Sequence, residues 1–179
     1  MLLTDSDELV NKCKMFRNLC FQSSKRFFHE ELGWNYRMTN LQAAVGIAQL
    51  DKLDEMVKIK RHIGNEYPRR LNDIKVFQLP MTNLSYAENI YWVYGIVLTD
   101  EYPFEAQSII NRLAEIKIGA RPFFWPMHEQ PMFIKQGFFK NASYPVAEKI
   151  ARRGFYIPCG TGFTDNELEI VAKTLHEII

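Results

Sequence analysis

The sequence has few cysteines and no motif that would pair them. Cys13, Cys20 and Cys159 are odd in number, show no CxxC spacing and lie far from any cluster of histidines. Disulfide-stapled domains and structural zinc sites need more cysteines at closer spacing. The cysteine content therefore predicts reduced thiols in a cytosolic protein.

Long apolar runs and an excess of one charge sign are also missing. No stretch approaches the roughly 20 apolar residues of a membrane span, and residues 1–4 lead directly into Asp5 and Asp7, which does not fit a secretory signal. Lys and Arg number 22 and Asp and Glu number 21, a net charge of +1. We therefore predict a cytoplasmic protein that binds neither a membrane nor nucleic acid.

Several common enzyme signatures are absent. The sequence contains no GxGxxG, P-loop, HExxH or GxSxG pattern, which argues against the common nucleotide-binding, zinc-protease and hydrolase classes. What it does contain is 179 residues, of which 47% are hydrophobic and 13% aromatic. This composition is typical of a folded globular protein with one domain or two small lobes.

Hydrophobic periodicity predicts an α/β chain. Spacings of three and four residues indicate helices, whereas the runs KVFQL and YWVYGIVL indicate strands. The predicted elements are the end of a strand over 1–4, a helix from Asp5, a long helix from Thr39 or Asn40 to Ile63, strands over 75–79 and 91–98, helices over 103–117 and 145–153, a strand over 155–158 and a last helix from Thr164. This order predicts a small α+β lobe whose helices cover one face of a short sheet, preceded by a long helix.

Capping and breaking residues refine these bounds. Asp5 with Glu8, and Thr164 with Glu167, have the spacing of a capping box at a helix start. Pro68 lacks a backbone donor, so we expect the long helix to kink just before it or to restart with Pro68 in its first turn.

The segment over 21–37 is basic, aromatic and aperiodic, which marks a candidate functional loop. Near its end, Asn35, Tyr36 and Arg37 provide an amide, a hydroxyl and a cation just before a predicted helix start. Helix starts favour anions, so a phosphate is one predicted ligand. The alternative is a helix-entry loop with a surface arginine.

A second candidate loop is RPFFWPMHEQP over 121–131. Its three prolines exclude a regular helix or a central strand. Arg121 and His128 beside several aromatic rings fit a pocket for a polar ring that carries phosphate. A packed corner of the core explains the same residues equally well.

Three ordered segments resemble the sugar-nucleotide aminotransferases of the DegT type. HEELGWNYRMTNLQAAVGIAQLDKLDE is similar to the family motif G-x-N-Y-R-M-x-x-x-Q-A-A-x-G-x-x-Q-L, and RPFFWPMHEQP and RRGFYIPCGTGFTDNE resemble two later family elements. Within the family, NLCF followed by RFFHEELGWNYRMTN is most similar to the GDP-perosamine synthases.

The resemblance implies the C-terminal half of a fold-type-I enzyme that uses pyridoxal 5'-phosphate. Such an enzyme moves an amino group from glutamate to a nucleotide-linked 4-keto-6-deoxy sugar, here for surface polysaccharide synthesis. The family's aldimine lysine precedes the matched region, so we expect no catalytic lysine in this chain and no activity of the chain alone. The implied domains are 1–67, a remnant of the large domain with the cofactor and dimer loop, and 68–179, the small C-terminal domain.

The resemblance also assigns site residues. Asn35 matches a position that reaches the cofactor phosphate of the partner subunit in a dimer. Arg37 lies beside it as a ligand for the cofactor phosphate or for the diphosphate of the sugar nucleotide. The implied substrate-binding residues are Tyr36, Arg121, Phe123, Phe124 and His128. Trp125 departs from the family pattern by replacing a tyrosine, and Pro68 departs by interrupting a helix that relatives keep continuous. No metal site is predicted.

The implied partners are the nucleotide sugar, glutamate and either a second copy of the chain or a complementing N-terminal half. The alternative is a non-catalytic truncated relative that serves as a dimerisation or binding module.

Overall fold

Contacts along the chain separate two units, Met1–Leu53 and Asp54–Ile179. The computed structural model describes residues 2–21, 25 and 27–179. Part of the candidate loop over 21–37 lies outside the described residues, as does Met1 of the predicted strand end. The domain boundary after residue 67 remains a prediction.

The first unit begins with helix α1, Asp7–Phe16, and its start differs from the prediction. Ser6 is the N-cap, and its hydroxyl accepts a hydrogen bond from the Leu9 N–H at 3.4 Å. The predicted cap Asp5 is therefore wrong by one residue, because the serine oxygen reaches the free amide. Residues 2–4 do not form the predicted strand.

Helix α2, Asn40–Leu50, begins as predicted but ends early. Thr39 is its N-cap and forms a reciprocal capping box with Gln42. After Leu50 the Lys52 N–H bonds to the Gln49 carbonyl three residues back, and this tighter turn ends the helix. The prediction of one helix as far as Ile63 is therefore wrong.

Helix α3, Leu53–Leu71, runs through Pro68 without interruption, so the predicted restart is wrong. Its Ile63, Tyr67 and Leu71 side chains are fully buried in the core. We attribute the continuity to this packing, which offsets the roughly 3 kcal/mol that an internal proline costs. Pro68 has no N–H to donate to the Gly64 carbonyl four residues back, so α3 lacks that one hydrogen bond.

The second unit contains two antiparallel sheets. Strands β1 to β6 are Phe77–Gln78, Asn83–Leu84, Ala87–Glu88, Tyr94–Leu98, Arg121–Pro122 and Gly154–Ile157. The larger sheet has the order β1-β4-β6-β5, which places β5 at an edge where its proline is tolerated. The hairpin of β2 and β3 was not predicted, because its strands are too short to show a pattern.

The remaining helices are α4 Ala106–Glu115, α5 Pro131–Lys135, α6 Pro145–Arg153 and α7 Asp165–Ile178, with a 3-10 turn at Met127–Glu129. Helices α6 and α7 follow the prediction closely, and α4 is shorter than the predicted 103–117. The short helix α5 and the 3-10 turn were not predicted. The capping box of Thr164 and Glu167 at the start of α7 is confirmed. In the described residues, no helix is long and apolar enough to cross a membrane.

The core of the second unit lies against one face of the larger sheet. Tyr94, Ile96 and Leu98 of β4 alternate with partly exposed residues and pack with buried side chains of α3, α4 and α7. The other face carries Gly95 and Tyr156, which are paired across β4 and β6. The predicted arrangement, in which helices cover one face of a short sheet, is confirmed.

Candidate functional site

The segment over 34–37 lies antiparallel to the end of α1. The Trp34 N–H donates to the Phe16 carbonyl at 2.7 Å, and the Tyr36 N–H donates to the Arg17 carbonyl at 2.9 Å. Alternate side chains of an extended segment point to opposite sides. The rings of Trp34 and Tyr36 accordingly stack, with centroids 6.2 Å apart and planes 5° apart. Asn35 is therefore placed on the side opposite these rings.

Asn35 and Arg37 form the first group of candidate ligands. Arg37 Nη1 donates to the Asn18 side-chain oxygen at 3.1 Å, which holds the guanidinium near the end of α1. Together with Tyr36, Met38 and Gln42, these residues line an open cavity of about 400 Å³. The structure thus brings Asn35, Tyr36 and Arg37 together, as the sequence predicts.

The start of α2 offers fewer free backbone donors to an anion than the sequence suggests. Two backbone donors in this turn, the N–H groups of Thr39 and Gln42, already bond to capping-box side chains. The principal hydrogen-bond donors to an anion at this site are therefore the polar side-chain amide of Asn35 and the charged guanidinium of Arg37. Both groups are suited to binding phosphate.

The second group of candidate residues lies in the second unit, at the edge strand β5. Arg121 and Phe124 are exposed there, and Phe124 retains 74% of the accessible surface of a free residue. A cavity of about 520 Å³ is lined by Glu105, Ala106, Gln107, Arg121, Pro122, Phe123, Phe124, Trp125, Ala151 and Arg152. The structure thus brings together the predicted residues Arg121, Phe123 and Phe124.

Two glycines of neighbouring strands hold Phe123 against the sheet. A Cβ atom on Gly95 would lie 2.6 Å from the Phe123 ring, and one on Gly154 would lie 2.4 Å from it. The ring also packs against Tyr156 at a centroid distance of 4.6 Å. The Phe123 ring therefore fits in this position only because Gly95 and Gly154 have no side chains.

His128 lies apart from this cavity and is engaged by protein groups. Its side chain is 8% exposed, and its Nε2 lies 3.0 Å from Glu148 Oε1. The imidazole also meets the Tyr144 ring edge-on at 4.8 Å. The Tyr144 backbone N–H and then His128 lower the pKa of Glu148 by hydrogen bonding to its carboxylate. These contacts favour a role for His128 in holding the loop to α6.

Arg152 is a residue of this site that sequence reasoning missed. Its Nη2 donates to both carboxylate oxygens of Glu129, at 2.9 and 3.0 Å, and its guanidinium lies 5.0 Å from the Trp125 ring centre. These hydrogen bonds raise the pKa of Arg152. Nothing in the linear spacing marks this arginine, because α6 brings it to the loop only after folding.

Three potential metal ligands also meet here. The side chains of His128, Glu129 and Glu148 place ligand atoms within 4.8 Å of one another. However, Arg152 occupies both oxygens of Glu129, and Glu148 accepts hydrogen bonds from Tyr144. The three side chains therefore belong to an ion-pair network in which the Arg152 guanidinium supplies the positive charge that a metal ion would supply.

Comparisons with known proteins give a consistent family assignment. Residues 1–176 match the model of the DegT/DnrJ/EryC1/StrS aminotransferase family. The chain is 29% identical to a GDP-perosamine synthase of Vibrio cholerae, over 98% of this chain and 47% of that protein. It is 27% identical to a GDP-perosamine synthase of Escherichia coli O157:H7, over 99% of this chain and 46% of that protein. The chain therefore spans about half the length of these relatives.

Solved structures show the same fold at lower identity. The chain aligns with Helicobacter pylori PseC, an aminotransferase of pseudoaminic acid biosynthesis, with a TM-score of 0.84 and 22% identity, over 98% of this chain and 47% of that one. It aligns with DesV of S. venezuelae with a TM-score of 0.79 and 23% identity, over 98% of this chain and 45% of that one.

Proposed function

The chain belongs to the DegT/DnrJ/EryC1/StrS aminotransferase family, and on this basis we propose that it is the C-terminal portion of a sugar-nucleotide aminotransferase. The reaction is transfer of an amino group from glutamate to a nucleotide-linked 4-keto-6-deoxyhexose. The similarity to two GDP-perosamine synthases supports a perosamine-type sugar destined for surface polysaccharide.

The cofactor is pyridoxal 5'-phosphate, which supplies an electron sink when bound. A related fold, the Spr1654 protein of Streptococcus pneumoniae, has been solved in its PLP form. The donor set in this chain fits the phosphate of that cofactor. Asn35 offers an uncharged amide and Arg37 a guanidinium, and both line the same cavity. We assign these two residues to holding the phosphate in a dimer.

The observation that carries the substrate assignment is the grouping at β5. A guanidinium, Arg121, lies beside the exposed ring of Phe124 on a loop that Phe123 anchors to the sheet. Arginine binds phosphate through its planar fork, and an exposed aromatic face packs against the apolar face of a sugar. We assign Arg121, Phe123 and Phe124 to binding the nucleotide sugar. A role for Tyr36 in binding the same ligand stays a prediction of the family resemblance.

His128 supports this site through its contact with Glu148. The imidazole holds the loop over 121–131 to α6, so that Arg121 and Phe124 keep their positions. Direct contact between His128 and the sugar remains a prediction.

A self-associating surface is the second part of the proposal. The apolar residues of α2 remain exposed, namely Leu41, Val45, Ile47 and Leu50. A two-fold dimer is the commonest way to cover such a surface. The same observation supports the alternative that the chain is a non-catalytic dimerisation module.

Reconstitution of the enzyme separates these alternatives. The DNA immediately upstream of this coding sequence is searched for a reading frame that encodes the family's lysine-bearing domain. That domain and this chain are then co-expressed. We call the product the assembled enzyme. We expect it to aminate a GDP- or dTDP-linked 4-keto-6-deoxyhexose with glutamate, whereas the chain alone is inactive. Absence of the lysine-bearing frame, or an inactive assembly that binds cofactor, would favour the non-catalytic module.

A further inference from the structure

Strand register places a tyrosine directly beside Arg121. In the antiparallel pair of β5 and β6, Arg121 is the partner of Tyr156, and Tyr156 is in turn the partner of Gly95 on β4. Paired residues on neighbouring strands point to the same face, with Cβ atoms about 5 Å apart. Arg121 and Tyr156 therefore share the face opposite the helical core.

Two phenylalanines fix the position of the Tyr156 ring. Phe123 packs against it at 4.6 Å, and Phe124 meets it edge-on at 6.2 Å. Phe123 is itself held over Gly95 and Gly154. A ring held in this way loses little conformational freedom when it binds a ligand.

The Tyr156 hydroxyl is available as a donor. Within the described part of the chain, neither a side chain nor a backbone group forms a hydrogen bond with this hydroxyl. Tyr156 is only partly buried, so the hydroxyl is not sealed in the core. A tyrosine hydroxyl is protonated at neutral pH, and desolvation raises the pKa of Tyr156 further.

We propose that Tyr156 is a substrate-binding residue whose hydroxyl donates a hydrogen bond to the hexose of the nucleotide-linked sugar. This inference rests on the proposed function and adds a specificity-determining residue to it. Arg121 binds a phosphate of the same ligand, because the other guanidinium that lines the cavity, Arg152, is already paired with Glu129. Tyr156, one strand further from the sheet edge, binds the neutral sugar.

The test is Tyr156→Phe in the assembled enzyme, which removes one oxygen and keeps the ring packed. We expect KM for the nucleotide sugar to rise about three- to tenfold, as the loss of one hydrogen bond between neutral groups predicts. The half-reaction with glutamate and the thermal unfolding midpoint stay unchanged. Tyr86→Phe, at an exposed tyrosine of the hairpin loop, is the matched control and changes none of these values.

The outcomes separate this inference from the proposed function. An assembled wild-type enzyme that aminates no nucleotide sugar overturns both. An active wild type whose KM is unaffected by Tyr156→Phe overturns only the role of Tyr156. Equal damage to both half-reactions also overturns it, because that result shows a general effect on the fold of the site.

Discussion

A Cβ atom on Gly95 would lie 2.6 Å from Cζ of Phe123, a distance that no real pair of these atoms adopts. Gly95 is therefore required for space and not for backbone conformation. Gly154 on the neighbouring strand leaves room for the other side of the same ring, with 2.4 Å between its would-be Cβ and Phe123 Cδ2. The position of Phe123 thus depends on two strands that are far apart in the sequence.

Gly95→Ala should destabilise the protein, because the added methyl group forces the Phe123 ring out of its position. Overpacking of this kind costs about 1–3 kcal/mol in the free energy of unfolding, which urea denaturation measures. Gly119→Ala is the control, since nothing lies within 4 Å of a Cβ there. In a Phe123→Leu background the cost should be smaller; an equal cost in both backgrounds would show that the ring is not the obstacle.

Asn35→Ala in the assembled enzyme should weaken cofactor retention more than sugar binding. A hydrogen bond to a charged phosphate is worth roughly 1.5–3 kcal/mol, so the cofactor dissociation constant rises at least about tenfold. Dialysis followed by absorbance of the retained cofactor measures it. Asn11→Ala, on the exposed surface of α1, is the control. Unchanged retention in Asn35→Ala would remove this residue from the site.

His128→Ala should slow the half-reaction with the keto-sugar and leave the half-reaction with glutamate nearly intact. Stopped-flow measurement of each half-reaction tests this, and Glu148→Ala removes the carboxylate that contacts His128 without removing the imidazole. Similar slowing in both variants shows that His128 acts by holding the loop. Slowing of about tenfold in His128→Ala alone indicates direct contact with the sugar. Equal loss in both half-reactions would contradict a role on the sugar side.

Glu66→Gln should lower the free energy of unfolding at neutral pH. It should also make that free energy depend less on pH in the acidic range. A hydrogen bond from Arg70 is the main cause of the lowered pKa of Glu66, with nearby positive charge adding to it. A carboxyl group whose pKa is lower in the folded state stabilises the protein above its unfolded pKa, near 4.3, and loses that contribution as pH falls through the folded pKa.

Urea midpoints at pH 7, 5 and 3 measure this difference. Wild type and Glu66→Gln should differ most at pH 7 and converge at pH 3. Glu115→Gln, at an exposed glutamate of α4, should follow the wild type. A gap that is constant across the pH range would show that the stabilisation does not depend on the charge of Glu66.

Val45→Glu should weaken self-association, because a charge within the exposed apolar surface of α2 is costly to bury in an interface. Analytical ultracentrifugation over a range of concentrations should show a dimer for the wild type and a shift of at least about tenfold in its dissociation constant for the variant. Asn11→Glu places the same charge on α1 and serves as the control. A wild type that stays monomeric at high concentration would refute the proposed dimer.

The elements that sequence patterns predicted well are those governed by local interactions. Helix α6 begins at Pro145 and ends at Arg153, just before Gly154, and α7 is capped by Thr164 and Glu167. Each of these signals lies within one or two turns of chain. The predictions failed where distant packing outweighs local preference. Burial of Tyr67 and Leu71 carries α3 through Pro68, which no local signal predicts.

The sequence by itself determined the family and the grouping of Asn35, Tyr36 and Arg37, because a continuous motif needs no folding to bring its residues together. Only the tertiary structure decided that Tyr156 lies beside Arg121 and that His128 contacts Glu148. Those pairs depend on the hydrogen-bond register of β5 with β6 and on the packing of α6 against the loop. A shift of one residue in the register of β5 would turn Arg121 to the core face and away from Tyr156, so this pair follows from strand pairing and not from its place in the chain.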